Sequence, residues 1–396
     1  MNWTELEKKY ILQTYKRNSI VLVRGKGKYL WDEQGRRYLD FFSGLGVNLF
    51  GHAHPRITKV IKEQTDNLIH TCNLYYTVPQ ILLAKKLVQL SFPGKVFFSN
   101  SGAEANECAI KLARRWGKSV RSVKSKVQRY EIIVFENSFH GRTLATLSAT
   151  GQKKFHRGFK PLLSGFKYAK FNDLDSVKRL VNRKTCAIMV ELIQGEGGVN
   201  VARKEFVQGL KRIAQGHHLL LIFDEIQTGL GRTGKLFAYE NYRVRPDILT
   251  LAKGLAGGLP LGATIGNERV ADLFTYGDHG STFGGNLVAC SVSLEILKML
   301  TPKILSHVDE MGKYFLKKLK DLQKKYNFIK DVRGMGLMLG IELDFPGEKI
   351  VNKCLERGLL INCTQEKVLR FLPPLFITEK DVNWGVNILE QSFSKL

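Results

Sequence analysis

Lys253 stands where an apolar run stops. Ile248-Leu249-Thr250-Leu251-Ala252 has the pattern of a buried strand, and Gly254-Leu255-Ala256-Gly257-Gly258 follows the lysine. A lysine there is either a solvated strand end that snorkels or a desolvated amine. Burial lowers the pKa of such an amine and frees it to act as a nucleophile or to form a Schiff base. Asp224 follows Leu219-Leu220-Leu221-Ile222-Phe223. A carboxylate behind that run needs a cation, either an Arg or Lys side chain or a protonated heteroaromatic nitrogen. Asn100-Ser101-Gly102-Ala103-Glu104 opens a helix after an apolar strand. Its backbone N–H groups, hydroxyl and positive dipole end suit a phosphate, or serve as an ordinary N-cap. Phe139 offers a flat ring for stacking, Arg142 a bidentate fork for a carboxylate, and Glu196 a lone carboxylate between glycines.

These residues need elements to bring them together. The first 50 residues read as a helix over 5–15 and an antiparallel meander with strands over 20–24 and 29–32. A helix over 55–67 follows. From residue 79 helices alternate with apolar strands over 95–99, 131–135, 187–191, 219–224, 247–252 and 262–266. This predicts an α/β fold, a mainly parallel or mixed sheet covered on both faces. Ligands of such sheets gather at the carboxyl ends of the strands, where Ser101, Phe139, Glu196, Asp224 and Lys253 all fall. The pattern then changes to long helices through residue 326, a strand over 332–343, a helix over 349–357, strands over 359–362 and 368–371, and a helix over 379–395. The expected organisation is an N-terminal segment, 1–50, a large domain, 51–287, and a smaller α+β domain, 288–396, to which the N-terminal segment contributes. Lysine, aspartate and phosphate cradle together describe pyridoxal phosphate, with the aspartate keeping the ring nitrogen protonated. No Gly-x-Gly-x-x-Gly follows the first strand, as a dinucleotide site would require.

Composition narrows the class. The six cysteines are scattered without a Cys-x-x-Cys pair, and no histidine pair has ligands at metal spacing, so neither zinc nor disulfides are expected. No apolar run is long enough to span a membrane and the first residues lack a signal pattern, which predicts a cytoplasmic protein. The net charge is +25. Lys and Arg are dispersed, with mild enrichment over 118–129, 153–170 and 317–325, and no nucleic-acid motif accompanies them, so no nucleic-acid partner is expected. The excess fits a polyanion partner, an acidic substrate or a soluble, self-repelling surface.

The chain resembles the fold-type I pyridoxal-phosphate enzymes, and among them the class-III (ω-amino acid) aminotransferases. The likeness lies in Ser101-Gly102-Ala103-Glu104-Ala105-Asn106, Phe139-His140-Gly141-Arg142-Thr143, Gln194-Gly195-Glu196-Gly197-Gly198 and Asp224-Glu225-Ile226-Gln227-Thr228-Gly229. It continues through Gly231-Arg232-Thr233-Gly234, Lys253-Gly254-Leu255-Ala256-Gly257-Gly258, His279-Gly280-Ser281-Thr282-Phe283-Gly284-Gly285-Asn286 and Arg370-Phe371-Leu372-Pro373-Pro374. The resemblance implies that Lys253 is the Schiff-base lysine and proton shuttle, and that Asp224 pairs with the pyridinium nitrogen. Gln227 would meet the ring hydroxyl, Phe139 stack on the ring, and Ser101, Gly102 and Ala103 bind the phosphate. Thr282 would reach the phosphate of a neighbouring subunit, implying a homodimer with shared sites. Arg370 would hold the α-carboxylate of glutamate or 2-oxoglutarate and Arg142 a second carboxylate, with Ser281 also at the substrate. Glu196 would neutralise Arg370 for the ω-amino substrate and swing away for glutamate. Ornithine-specific members carry a tyrosine at the place of Gly44. The glycine, with Gly277-Asp278-His279-Gly280-Ser281, resembles members acting on N²-acetylornithine in arginine biosynthesis. The alternatives are another ω-amino donor (ornithine, succinylornithine, succinyldiaminopimelate, 4-aminobutyrate or an N-acyl-lysine) or, in a different class, a basic nucleic-acid-binding protein on this fold. Leu192 and Leu287 depart from the prolines usual in the family, which bears on local loop geometry.

Overall fold

A computed structural model describes residues 2–120 and 127–393. Its centre is a seven-stranded sheet in the order Gly94–Ser99, Gly262–Asn267, Ile248–Leu251, Leu220–Asp224, Thr185–Glu191, Glu131–Phe135, Phe166–Ala169. Gly262–Asn267 runs antiparallel to both of its neighbours, and the other pairings are parallel. All seven residues of Thr185–Glu191 and all five of Leu220–Asp224 are buried. Strands covered on both faces have no solvent side, so they are apolar without alternation. The six parallel strands all point their carboxyl ends at one edge. Ser99, Glu191, Asp224 and the residue before Lys253 therefore come out side by side, with Asp224 in register with Glu191 and Thr250.

Two smaller sheets flank this edge. Leu22–Lys26, Tyr29–Asp32 and Arg37–Asp40 form a meander, and Leu359–Leu360 joins it in parallel with Leu39 and Asp40. The distant C-terminal segment is thereby tied to the N-terminal one. The other sheet is antiparallel, in the order Ile329–Met335, Met338–Leu343, Val368–Phe371, Asn362–Thr364. One continuous apolar cluster runs from Leu39 and Phe41 through Phe223 and Leu249 to Phe371 and Phe393, so these layers share a core.

Several elements differ from the reading of the sequence. The first helix is Trp3–Tyr10 rather than 5–15; none of its residues is buried, so no packed face extends it. The single strand expected over 332–343 is a hairpin. Gly336 takes φ +55° at the turn, and a Cβ there would lie 2.5 Å from the Arg232 carbonyl oxygen, so only glycine fits. The strand expected over 359–362 is divided between two sheets, with Leu360 paired to Asp40 and Asn362 to Arg370. Part of the basic stretch 118–129 and the end of the helix expected to 395 lie outside the described residues.

Candidate active site

Lys253, Asp224 and the Ser101 turn converge on one cavity of about 390 Å³ at the carboxyl edge of the large sheet. Lys253 leaves its strand with φ +45°, a conformation rare for a residue with a side chain. Such backbone costs of order 1–3 kcal/mol and gathers at sites where position matters more than ease. Burial lowers the Lys253 ammonium below its usual pKa; the nearby Glu196 charge opposes this and Arg370 adds to it.

Asp224 is 4% exposed. Its Oδ2 accepts from Asn106 Nδ2 at 2.7 Å and meets His140 Nδ1 at 2.8 Å, while Oδ1 accepts from the Ile226 N–H at 3.1 Å. Asn106 is itself fixed: Nδ2 also donates to the His140 carbonyl, and Oδ1 accepts from Thr250 Oγ1. The carboxylate is thus held in one orientation by three elements. Glu191, in register beside it, accepts from the Phe139 N–H at 2.8 Å. Burial, and then the Asp224 charge, push the Glu191 carboxyl well above the usual range.

Ser101 caps the helix Gly102–Ser119, its Oγ accepting from the Glu104 N–H at 3.2 Å. The first N–H groups of a helix have no intrahelical partner, so those of Gly102 and Ala103 are available to a ligand. A Cβ on Gly102 would come within 2.8 Å of Ile226, which keeps this floor bare. Phe139 lines the cavity and packs edge-on against Phe155, and the Arg142 guanidinium lies 3.8 Å from the Phe155 centroid.

Opposite Lys253 stands an ion pair. Arg370, on Val368–Phe371, is 0% exposed, and its Nη1 donates to Glu196 Oε1 at 2.6 Å and to Gln227 Oε1 at 3.2 Å. Its Nε donates to Asn362 Oδ1 on the neighbouring strand. Burial raises the Glu196 carboxyl, but Arg370 and Lys253 together bring it below its usual value. Glu196 hangs from the turn between Ile193–Gln194 and Asn200–Val201, its carbonyl oxygen held by Thr364 and Gln365.

Among the residues singled out from the sequence, Ser101, Gly102, Ala103, Phe139, Arg142, Glu196, Asp224, Gln227 and Lys253 line the cavity, and Arg370 is hydrogen-bonded to two of them. Ser281 sits behind the wall, its Oγ accepting from Asn100. Thr282 is exposed and lies apart, beside His70, Cys72 and Asn73. Gly44 is also exposed, at φ +59°, three residues before the cavity-lining Val47. The sequence reading gave no role to Asn106, His140, Glu191 or Asn362. Asn106 and His140 stand inside quoted motifs, and that neighbourhood was the one available signal.

A strand-end lysine, a buried and oriented carboxylate, an open helix N-terminus and an ion pair at the wall of one cavity suit a group-transfer enzyme of the α/β class. The comparisons make the class specific. The family model described as Aminotransferase class-III matches residues 10–393. The acetylornithine aminotransferase of Methanocaldococcus jannaschii is 52% identical over 396 residues, spanning 100% of this chain and 98% of that protein. The crystal structure of an ornithine aminotransferase from Toxoplasma gondii ME49 superposes with a TM-score of 0.93 at 33% identity, covering 99% of this chain and 94% of that one. That of N-acetylornithine aminotransferase from Stenotrophomonas maltophilia K279a gives 0.84 at 35% identity, covering 99% and 98%. The chain belongs to the class-III aminotransferases, and its fold is that of the fold-type I transferases. Among the described residues no helix is long and apolar enough to cross a membrane, and no cluster of metal-ligating side chains occurs.

Proposed function

We propose that this enzyme transfers the δ-amino group of N²-acetylornithine to 2-oxoglutarate, giving N-acetylglutamate 5-semialdehyde and glutamate, with pyridoxal 5′-phosphate as cofactor. The observation that carries the reading is the Glu196–Arg370 pair at 2.6 Å in the cavity that Lys253 enters. A buried arginine with a removable carboxylate accepts two substrates that differ in charge at one end. The choice of acetylornithine draws on the names of the similar proteins and on Gly44.

The residues fit the cofactor. Among the described residues, Gln227 Nε2 and Arg370 Nη2 are buried donors without a partner, left for a group bound in the cavity. When bound, pyridoxal phosphate supplies the electron sink that lets a C–H bond beside the transferring nitrogen break. Asp224, oriented by Asn106 and His140, would pair with the ring nitrogen, and Phe139 would stack on the ring. Ser101 Oγ accepts as a cap and keeps its own proton free to donate, so the hydroxyl joins the Gly102 and Ala103 N–H groups at the phosphate. Gln227, whose buried Nε2 has no partner among the described residues, would meet the ring hydroxyl. Lys253 Nζ takes up the proton released from the amino-bearing carbon in one half-reaction. In the other it delivers a proton to the former keto carbon of 2-oxoglutarate, once nitrogen has replaced the oxygen and water has left. Arg370 holds the α-carboxylate of the keto acid and Arg142 a second carboxylate.

The working unit in this reading is a homodimer in the cytoplasm. Thr282 is exposed outside its own cavity, and Leu74, Tyr75, Tyr76 and Val78 stand largely exposed in one stretch, as a face covered by a second copy requires. Single-turnover mixing with acetylornithine, ornithine, 4-aminobutyrate and glutamate tests the substrate. Fast reaction with acetylornithine and glutamate alone supports the reading, and equal reactivity of ornithine sinks it.

A further inference from the structure

A groove of about 940 Å³ is lined by Lys153, Lys154, Arg157 and Lys160, with Glu136 as the one acidic residue in its walls. Among the described residues none of these four cations is in an ion pair. The short helix Lys153–His156 carries two of them outward. It is pinned from beneath by His156 Nε2, which donates to the carbonyls of Leu147 and Thr150 at 3.0 and 2.8 Å. Unpaired cations held on one wall keep their field for a passing anion.

The groove borders a cleft that in turn borders the reaction cavity. Lys154, Gln152 and Gln365 line both the groove and a cleft of about 1150 Å³, and Glu196 lines both that cleft and the cavity. Gln365 Nε2 is the physical link, donating to Gln152 Oε1 and to the Glu196 carbonyl, each at 2.8 Å. A doubly charged acid gathered in the groove thus stands one cleft away from the cavity beside the Glu196–Arg370 pair. The other cleft residues are closer to balance, with Lys16 paired to Glu348.

We propose that the groove over residues 153–160 is an encounter site for small dicarboxylates, which concentrates 2-oxoglutarate at the mouth of the cavity. The inference rests on the proposed reaction only for the identity of the acceptor. N²-acetylornithine carries one carboxylate and one ammonium, so the same field leaves its arrival nearly unchanged. Part of the +25 charge then has a use.

The test is single-turnover kinetics of the holoenzyme, first loaded with the amino group from glutamate and then mixed with 2-oxoglutarate. The parent is compared with Lys153→Gln/Arg157→Gln/Lys160→Gln. At low ionic strength the second-order rate constant of the triple variant falls about three- to tenfold, and the gap closes to below about twofold near 0.5 M salt, where the Debye length is a few ångströms. The rate constant for acetylornithine, or for whichever ω-amino donor without net charge reacts, changes by less than about twofold. An unchanged constant at low salt, an equal fall for the uncharged donor, or a deficit that persists in high salt each overturns the proposal. If the triple variant does not fold, Lys153→Gln and Lys160→Gln alone should each show a smaller fall with the same salt dependence. If 2-oxoglutarate does not react at all, the proposed reaction fails, and titration calorimetry with glutarate still reads the groove. Salt-sensitive binding weakened in the variant supports the encounter site; identical binding removes it.

Discussion

Replacing Glu196 by Gln should split the two half-reactions. Arg370 is fully buried and holds Glu196 at 2.6 Å, and the Glu196 side chain is 27% exposed. Removing one partner of a buried pair costs about 3–5 kcal/mol, because the other charge is stranded. The partial exposure of Glu196 and the neutral acceptors Gln227 and Asn362 offset some of this, leaving about 2–3 kcal/mol. In the parent an ω-amino donor meets a neutralised arginine; in Glu196→Gln it must bind beside a bare one. At about 1.36 kcal/mol per factor of ten, kcat/KM for acetylornithine falls about thirty- to 160-fold. Glutamate brings its own carboxylate to Arg370 and no longer has to displace Glu196, so its kcat/KM holds or rises. The glutamine keeps the backbone carbonyl that Thr364 and Gln365 bind, so the loop stays in place. The measurement is the ratio of the two single-turnover constants. Equal loss in both half-reactions would refute the switch and leave Glu196 as loop scaffolding.

Three further outcomes are expected. Lys253→Ala should lower turnover by at least about 10⁴, combining loss of a proton-transfer group with loss of covalent anchoring. It should also remove the absorbance band of the lysine-linked cofactor; retention of activity would remove Lys253 from the mechanism. Glu225 is 1% exposed, and burial pushes its carboxyl up to about 8 from 4.5 despite N–H bonds from Ala238 and Tyr239. The folded chain therefore keeps a proton that the unfolded chain has lost, and this contribution is complete below 4.5 and lost as pH rises through about 8. Relative to Glu225→Gln, the parent should lose on the order of 3–5 kcal/mol across that window in denaturant titrations, and parallel curves for the two proteins would contradict it. Gly44→Tyr should lower kcat/KM for acetylornithine relative to ornithine by at least about tenfold, the scale on which a site rejects a substrate its shape no longer fits. An unchanged ratio would show that Gly44 does not select the acyl group.

Residues that sit at strand ends were legible because strand formation is a local property. An unbroken apolar run announces a strand covered on both faces, and the polar residue that ends it must emerge at the sheet edge, as Asp224 does. The partners of these residues were not legible, because pairing depends on register across long separations. His140 meets Asp224 across 84 residues of sequence, and Asn362 meets Arg370 only because two short antiparallel strands align them. The hairpin around Gly336 was hidden for a similar reason. Its turn is imposed by the approach of the Arg232 carbonyl from another part of the chain, which no periodicity records. Arg232 itself makes the point most sharply. In sequence it belongs to a glycine-rich loop and would be drawn as solvated, yet it is 0% exposed, with no carboxylate in ion-pairing range among the described residues. Burial takes its pKa down to about 9; its Nη1 donates to the carbonyls of Leu337 and Pro373, while Nε and Nη2 have no partner among the described residues. Pro373 lies three residues beyond Arg370, and Leu337 in the hairpin turn. The cation in one loop therefore fixes the exit of the strand that carries Arg370. That coupling follows from burial and hydrogen bonding together, and neither is a property of the residue type alone.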